Sequence, residues 1–482
     1  MYEKIPMLNE HIAIEIEKQL EFSPSDEQKQ LIKLLSEFIL PASKNDILLL
    51  KGYAGTGKSS IVSAFVKMLS SFKMKSVLLA PTGRAAKVIA SYSGKPAYTI
   101  HKKIYRQQKG SDGLGKFVLS ANLHSNTIFV VDEASMISNR SDGLAGFGSG
   151  RLLDDLIQYV FSGNNCKLIF VGDTAQLPPV GSLLSPALDI KELELFGKNV
   201  TQIVLKKVFR QKEQSGILHN ATLIRNKITG NDISFPKLEY TYFNDVERIT
   251  GEFLIETIST EYDQNGIENC MVVTRSNKRA NLFNAGIRAS ILYREEQLTS
   301  GDLIMVVKNN YFWLPENKYT DFIANGDIAE VIKIYDYENL YDLHFVNVKL
   351  KFIDYPDIEI KAKIILDSLS YETASMTKEQ NLEFYNKVME DYADISSKKE
   401  RYKKLKENPY FNALQVKFSY AVTCHKAQGG QWNTVFIDHG YIPDNKIDMD
   451  FLRWLYTAFT RAKSKIYLVN FSKEFFEEPT IQ

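Results

Sequence analysis

The run Gly52-Tyr-Ala-Gly55-Thr56-Gly57-Lys58-Ser59 has the residue types and spacing of a phosphate-binding loop. Its glycines let backbone N–H groups turn inward around an anion. Lys58 adds a mobile cation for the β- and γ-phosphates, and Ser59 adds a hydroxyl for Mg²⁺. A second signal is Val130-Val131-Asp132-Glu133, an apolar run that ends in two carboxylates. Asp132 suits the metal, directly or through water, and Glu133 suits orienting or deprotonating an attacking water. A third is Gly172-Asp-Thr-Ala-Gln176-Leu-Pro-Pro179, where the neutral amide of Gln176 can contact a γ-phosphate or its water. The chemistry expected of the set is hydrolysis of ATP with Mg²⁺.

These loops work only if one scaffold brings them to one edge. The apolar runs Ile47–Leu50, Val77–Ala80, Ile128–Val131 and Leu168–Val171 are short enough to be strands buried on both sides. Between the first two, Ile61, Ala64, Phe65, Met68 and Leu69 repeat at the spacing of one helix face. Strands alternating with helices predict a parallel sheet, whose ligands gather at the carboxyl ends of the strands. The second half repeats the theme in Met271–Thr274, Val435–Asp438 and Ile466–Val469. Between these lies β-like alternation at Ala329–Ile334 and Val346–Phe352. Residues 367–410 follow, with Leu382, Tyr385, Val388, Met389, Tyr392 and Ile395 at helical spacing and a lysine-rich end. The expected fold class is α/β. A first parallel-sheet domain covers 1–235, a second covers 236–297 and 411–482, and a β-rich module with a helical insertion occupies 298–410. Within 102–124, the cluster Gly110-Ser-Asp-Gly113 lies between Ile104-Tyr105 and Phe117-Val118-Leu119 and predicts a β-hairpin.

Composition narrows the classes further. The 482 residues are 44% hydrophobic and 24% charged, which fits a globular chain rather than a disordered one. Lys+Arg 59 against Asp+Glu 58 leaves a net charge of +1, so a polyanion would have to be met by a local surface. No apolar run approaches the roughly 18 residues of a membrane span, and no membrane partner is expected. Cys166, Cys270 and Cys424 are too widely spaced for a disulfide framework or a zinc pattern, which points to the cytoplasm.

The motifs and their order resemble the superfamily 1 DNA helicases, B branch, in the RecD- and Dda-like group. Gln28 in Ser25-Asp-Glu-Gln28 lies where that family places an adenine-reading glutamine. Ala80-Pro-Thr82-Gly-Arg84-Ala-Ala-Lys87 and Thr99-Ile-His101 follow the phosphate loop as motif Ia and the segment after it. Leu205-Lys-Lys-Val208-Phe209-Arg210 matches motif IV, and Thr274-Arg-Ser-Asn277 opens the second motor domain. Phe322-Ile-Ala-Asn325-Gly-Asp327 belongs to the inserted module. Ala421-Val-Thr423-Cys-His425-Lys-Ala-Gln428-Gly429 is motif V, and Tyr456-Thr-Ala-Phe-Thr460-Arg461-Ala462 is motif VI.

The resemblance implies two RecA-like motor domains, a strand-separating pin at the hairpin, and an SH3-like barrel within the inserted module. It implies ATP-driven 5′→3′ movement on single-stranded DNA and unwinding at forks, by a monomer. It brings possible links to single-strand-binding, replication or recombination proteins. Nucleotide contacts would fall on Gln28, Gly52, Gly55, Thr56, Gly57, Lys58, Ser59, Ser60 and Gly429, with Ser59 and Asp132 at the metal. Lys58, Glu133, Gln176, Arg210 and Arg461 would act in catalysis, the two arginines as fingers across a cleft between the domains. DNA would be met by Thr82, Arg84, His101, Thr274, Asn277, Asn325, Thr423 and His425, with Phe117 as the wedge of the pin. The chain departs from many relatives at Gly430-Gln431, where they carry a Ser-Glu pair, so a neutral Gln431 stands where a carboxylate would make any ribose or metal contact. Two other readings share these residues: an RNA-directed remodeller on the same motor, and a RecD-type subunit of a nuclease complex.

Overall fold

Aliphatic strands covered on both faces organise the first half of the chain. The computed structural model describes residues 4–40, 46–108, 116–140, 148–208, 215–314, 323–353, 358–442 and 446–477. They divide into two units, the first ending at Val208 and the second starting at Ser215. In chain order the first contains α1 (Lys4–Glu17), α2 (Asp26–Phe38), β1 (Ile47–Gly52), α3 (Lys58–Ser71), β2 (Lys75–Ala80), α4 (Gly83–Ser93), β3 (Ala97–Thr99) and α5 (Ile100–Ile104). It continues with β4 (Tyr105–Gln108), β5 (Lys116–Leu119), β6 (Thr127–Val131), α6 (Leu152–Ser162), β7 (Lys167–Gly172), α7 (Ile190–Glu194) and β8 (Val200–Leu205).

Six of these strands form one parallel sheet in the order β3-β2-β6-β7-β1-β8. Side chains alternate across a strand, so each strand serves two cores. Leu48 and Leu50 of β1 join Val130 and Ile169 under α1, α2 and α3, while Ile47 and Leu49 join Phe129 and Phe170 on the other face with α5 and α6. Truncating one such fully buried leucine to alanine costs about 2–5 kcal/mol. The helix face anticipated from Ile61, Ala64, Phe65, Met68 and Leu69 is buried in the first of these cores.

The strands β4 and β5 pair antiparallel, with Gln107 opposite Phe117. The tip, including Gly110 and Gly113, lies outside the described residues. Phe117 is half-buried against the core that contains Phe129 and Phe170. That side chain, the expected wedge, thus stands at the foot of the hairpin with part of its surface open.

The second unit contains α8 (Gly216–Gly230), β9 (Val246–Ile249), α9 (Gly251–Asn265), β10 (Cys270–Thr274), α10 (Asn277–Ser290), β11 (Leu303–Val306), β12 (Ile328–Leu340), β13 (Leu343–Phe352) and β14 (Glu359–Ile365). It continues with α11 (Lys378–Glu390), α12 (Lys398–Glu407), β15 (Leu414–Phe418), β16 (Ala421–Thr423), α13 (Cys424–Ala427), β17 (Trp432–Asp438), α14 (Met449–Phe459) and β18 (Ala462–Val469). A second parallel sheet runs β16-β10-β17-β18-β9. The strands β11 to β15 close a five-stranded barrel around Ile304, Val331, Val348, Ile364 and Val416. Buried Asp302 ties that barrel to the sheet domain. It accepts from Arg288 at 3.0 and 3.1 Å, Arg294 at 2.8 Å and the Tyr420 hydroxyl at 2.9 Å.

Three expectations change. The first domain was expected to run to residue 235, yet α8 lies in the second unit. Asp245 accepts from the Ser215 hydroxyl at 2.7 Å and the Gly216 N–H at 2.8 Å, holding α8 beside β9. The inserted module was expected to end at 410, yet β15 completes the barrel by pairing with β11 and β14, because Leu414 and Val416 fill its core. In the helical insertion Val388 is buried as anticipated, but Leu382 is exposed and Phe384 takes the buried position. Together with Leu405 of α12, these side chains pack on Phe345 and Ile365 outside the barrel. The insertion is therefore a cap on one end of the barrel wall. Among the described residues no helix is long and apolar enough to cross a membrane.

Candidate nucleotide site and nucleic-acid interface

Three adjacent parallel strands, β6, β7 and β1, deliver the chemically active loops to one sheet edge. Lys51 of β1 lies opposite Gly172 of β7, and Val131 of β6 lies opposite Phe170, so the strands end nearly level. The loop after β1 turns through Gly55 at φ +75° and Gly57 at φ +81°, left-handed values that glycine adopts without strain. A Cβ on Gly57 would sit 2.5 Å from Gln28 Nε2. The helix α3 begins directly at Lys58 with no side-chain cap, which leaves the amides of its first turn for an anion. Lys58 Nζ donates to the carbonyls of Gly52 at 2.5 Å and Tyr53 at 2.9 Å, so its charge already stands inside the loop. Thr56 is buried and donates its hydroxyl to Tyr53 O at 2.7 Å. Ser59 is half-buried and Ser60 exposed on the first turn of α3. This cradle of glycine turns, uncapped amides and one inward lysine fits the phosphates of a nucleotide.

Gln28 has a structural duty that its neighbours explain. Ser25 and Gln28 form a capping box at α2, with Gln28 Oε1 accepting the Ser25 N–H at 2.9 Å. Gln28 Nε2 donates to Thr56 O at 3.0 Å, and the residue is 1% exposed. The glutamine thus clamps the phosphate loop to α2.

The acidic strand end is electrostatically tense. Burial, and then the adjacent Glu133 carboxylate, push the Asp132 carboxyl up to about 7. The Glu133 N–H, 2.8 Å from Asp132 Oδ1, and the Lys58 charge pull the other way. A divalent cation on Asp132 would restore its ionised form. Glu133 has φ +51° and ψ +39°, a conformation that costs a non-glycine residue about 1–3 kcal/mol and clusters at functional sites. Asp173 shapes the third loop by accepting the Ala175 N–H at 2.9 Å, and Gln176 is buried there. Among the described residues no three His, Cys, Asp or Glu side chains gather to hold a metal by themselves. A Mg²⁺ ion here would rely on Ser59, Asp132 and the phosphates.

The neighbouring strands of the same sheet carry the first unit's candidates for DNA. Thr82 follows β2 and caps α4 by accepting the Ala85 N–H at 3.2 Å, and Arg84 is half-buried in its first turn. His101 follows β3, and burial pushes its ring down to about 4. At pH 7 this favours the neutral ring, which can donate a hydrogen bond to a phosphate. In the second unit, β10 and β16 are adjacent and parallel. Half-buried Asn277 follows β10, while half-buried Thr423 and exposed His425 stand at the end of β16. Thr274 is fully buried, and its hydroxyl is bonded to Ser276 O at 3.1 Å. It has no surface to offer a nucleic acid, which corrects its expected role. Exposed Asn325 lies between β11 and β12, where its N–H donates to Asn309 Oδ1 at 2.7 Å.

Comparison with known proteins covers most of the chain. Residues 24–237 match the AAA domain model AAA_30, and residues 418–469 match the UvrD-like helicase C-terminal domain. The ATP-dependent RecD2 DNA helicase of Deinococcus radiodurans is 23% identical over 87% of this chain, and the ATP-dependent DNA helicase dda of Enterobacteria phage T4 is 22% identical over 87%. These matches make the chain similar to the superfamily 1 helicases of the RecD/Dda-like branch. It spans 93% of the phage protein, 46% of the Deinococcus protein and 38% of MJ1519 of Methanocaldococcus jannaschii, which is 23% identical over 92% of this chain.

The arginine of the motif VI match is held inward. Arg461 is 3% exposed and donates to Thr457 O at 3.1 Å, Gly430 O at 3.2 Å and Thr460 Oγ1 at 3.0 Å. None of these acceptors carries charge, so a buried guanidinium is left without a counter-ion among them. Gly429 is buried at φ +75°, and Gln431 is exposed. Arg210 lies outside the described residues.

Sequence reasoning missed Lys426, one residue past His425. Its Nζ is buried without a hydrogen-bond partner among the described residues. Burial, and then the charge of Lys417, push it down to about 8. Lys417 is itself buried and reaches the Tyr371 carbonyl. The signal was present in the motif, as a lysine beside a histidine at a strand end.

Proposed function

We propose that this chain is an ATP-dependent DNA helicase that binds Mg-ATP at the carboxyl edge of its first sheet. The observation that carries the reading is the convergence of Lys58, Asp132 and Gln176 on adjacent strand ends, beside the Thr82 and His101 loops of the same edge. Lys58 and the α3 amides hold the phosphates, and Ser59 and Asp132 hold Mg²⁺. The ion, when bound, draws charge from the β- and γ-phosphate oxygens. Glu133 takes the proton of the attacking water and Gln176 positions that water. Arg210 and Arg461 enter through family likeness as donors to the transferred phosphoryl group. Asn277, Thr423 and His425 supply the second unit's contacts to a single strand, and movement is 5′→3′.

Unwinding of tailed duplexes tests the proposal. ATP and Mg²⁺ are expected to separate strands carrying a 5′ tail and to spare those with a 3′ tail. The reverse preference overturns the direction, and failure with both overturns the helicase reading. Matched RNA tails decide the remodeller alternative, because only the 2′-hydroxyl differs.

Lys426 is the second unit's reserve of positive charge in this reading. At pH 7 the folded chain carries a cation that its site disfavours. That cost is full below about 8 and fades as pH rises toward the ordinary lysine value of 10.5. Lys426→Met is therefore expected to raise the thermal midpoint at pH 7 by a few degrees, to lose that advantage near pH 10, and to weaken single-strand binding. Unchanged DNA affinity would show that the buried charge serves no strand.

A further inference from the structure

In the closed barrel β13 is paired on both sides, with β12 and β14, along most of its length, whereas β12 meets β11 only over Ile328–Glu330 and β14 meets β15 only at Ile364 and Ile365. Their inward residues, including Val331, Val348 and Ile360, fill the barrel core. Their outward residues stand in rows across the three strands. In one row Glu330 lies opposite Lys351, and Lys351 lies opposite Glu359, the alternation of sign that favours a sheet. In another, Lys363 Nζ and Asn347 both donate to Glu338, Asn347 also reaches Asp336, and Tyr410 closes the network on Glu338.

The row between them is different. Lys333 lies opposite Lys349, and Lys349 lies opposite Lys361. Like charges in direct cross-strand register repel, so the barrel by itself disfavours this arrangement. Among the described residues, only Lys349 of the three has a carboxylate partner, Glu359 at 2.6 Å. Lys333 and Lys361 instead hold their ammonium groups 5.2 and 5.3 Å from the ring centroid of exposed Tyr335. Lysines on a strand often guard an open sheet edge. Lys349 stands on β13 between two paired strands, so edge guarding does not account for the middle lysine of the row.

We propose that this row is a second nucleic-acid surface, seating the phosphate backbone of a DNA duplex on the barrel wall. The inference rests on the helicase reading and adds to it a site on the barrel wall, outside the matched motifs. Three strands about 4.8 Å apart fix the origins of the three lysines, and Tyr335 presets two of the ammonium groups. The outer wall of a closed barrel is convex and offers no groove for unstacked bases. The ring of Tyr335 already serves two cations, so it is no free platform for a base. A rigid array of phosphates matches a rigid row of cations, and counter-ions released from the duplex supply the driving force.

The test compares the full chain with its K333Q/K349Q/K361Q variant, without nucleotide, on a short blunt duplex over a salt series. Loss of three phosphate contacts is expected to make the slope of log affinity against log salt shallower by about 2.7. Duplex affinity at low salt should fall at least tenfold. Stimulation of ATP hydrolysis by a short single strand should stay at the unaltered level, and the thermal midpoint should not fall. An unchanged duplex slope and affinity overturn the proposal. A parallel loss of single-strand stimulation also overturns it, by placing the row on the single-strand track. An unaltered chain whose ATP hydrolysis ignores single strands would sink the helicase reading, while the duplex slope still reports on the row.

Discussion

Lys58→Ala is expected to lower DNA-stimulated ATP hydrolysis by at least about 10²–10³-fold, the scale of removing one preorganised donor from developing charge. The ammonium stands in the loop at 2.5 and 2.9 Å from two carbonyls, so a phosphate would meet it without a large rearrangement. Single-strand affinity should be retained, because the candidate DNA residues sit on other loops. Steady-state hydrolysis with and without a single strand, together with a binding titration, makes the measurement. Wild-type turnover in the variant would remove the phosphate loop from the chemistry. Lys58→Arg is a useful companion, since it keeps charge but not the compact ammonium.

Glu133→Gln separates binding from chemistry. The substitution keeps shape and removes the proton acceptor, so turnover is expected to fall about 10²–10⁴-fold while nucleotide stays bound. It also removes the negative charge that, after burial, raises Asp132, which should ease ionisation of that carboxyl. Glu133→Gly gives the contrasting result. Relief of the left-handed backbone is expected to stabilise the chain by about 1 kcal/mol, with activity still lost. Single-turnover hydrolysis and denaturant titration read the two effects independently. An active Glu133→Gln would pass the role of base to another group.

Much of this arrangement was legible in the residues. Short aliphatic runs ending in Gly, Asp or Pro announced parallel strands, because a strand buried on both faces has little room for polar side chains. Less legible were the duties of single polar residues. Ser25 and Gln28 carry the spacing of a capping box, and that local bond is what the structure uses. Thr274 lies in a matched motif but at a strand position that the sheet buries completely. The end of the barrel was missed because β15 pairs with β11, more than a hundred residues earlier, and no local pattern records a partner that distant.

By itself the sequence determined that a phosphate loop, an acidic strand end and a glutamine turn share one parallel scaffold. Those properties follow from residue type and short-range periodicity. Only the tertiary structure decided that Gln28 clamps the loop, that the Lys426 ammonium is buried without a hydrogen-bond partner among the described residues, and that three lysines from β12, β13 and β14 align in one row. Burial and cross-strand register arise from contacts between distant segments, and a side chain's charge acquires its meaning from what those contacts leave beside it.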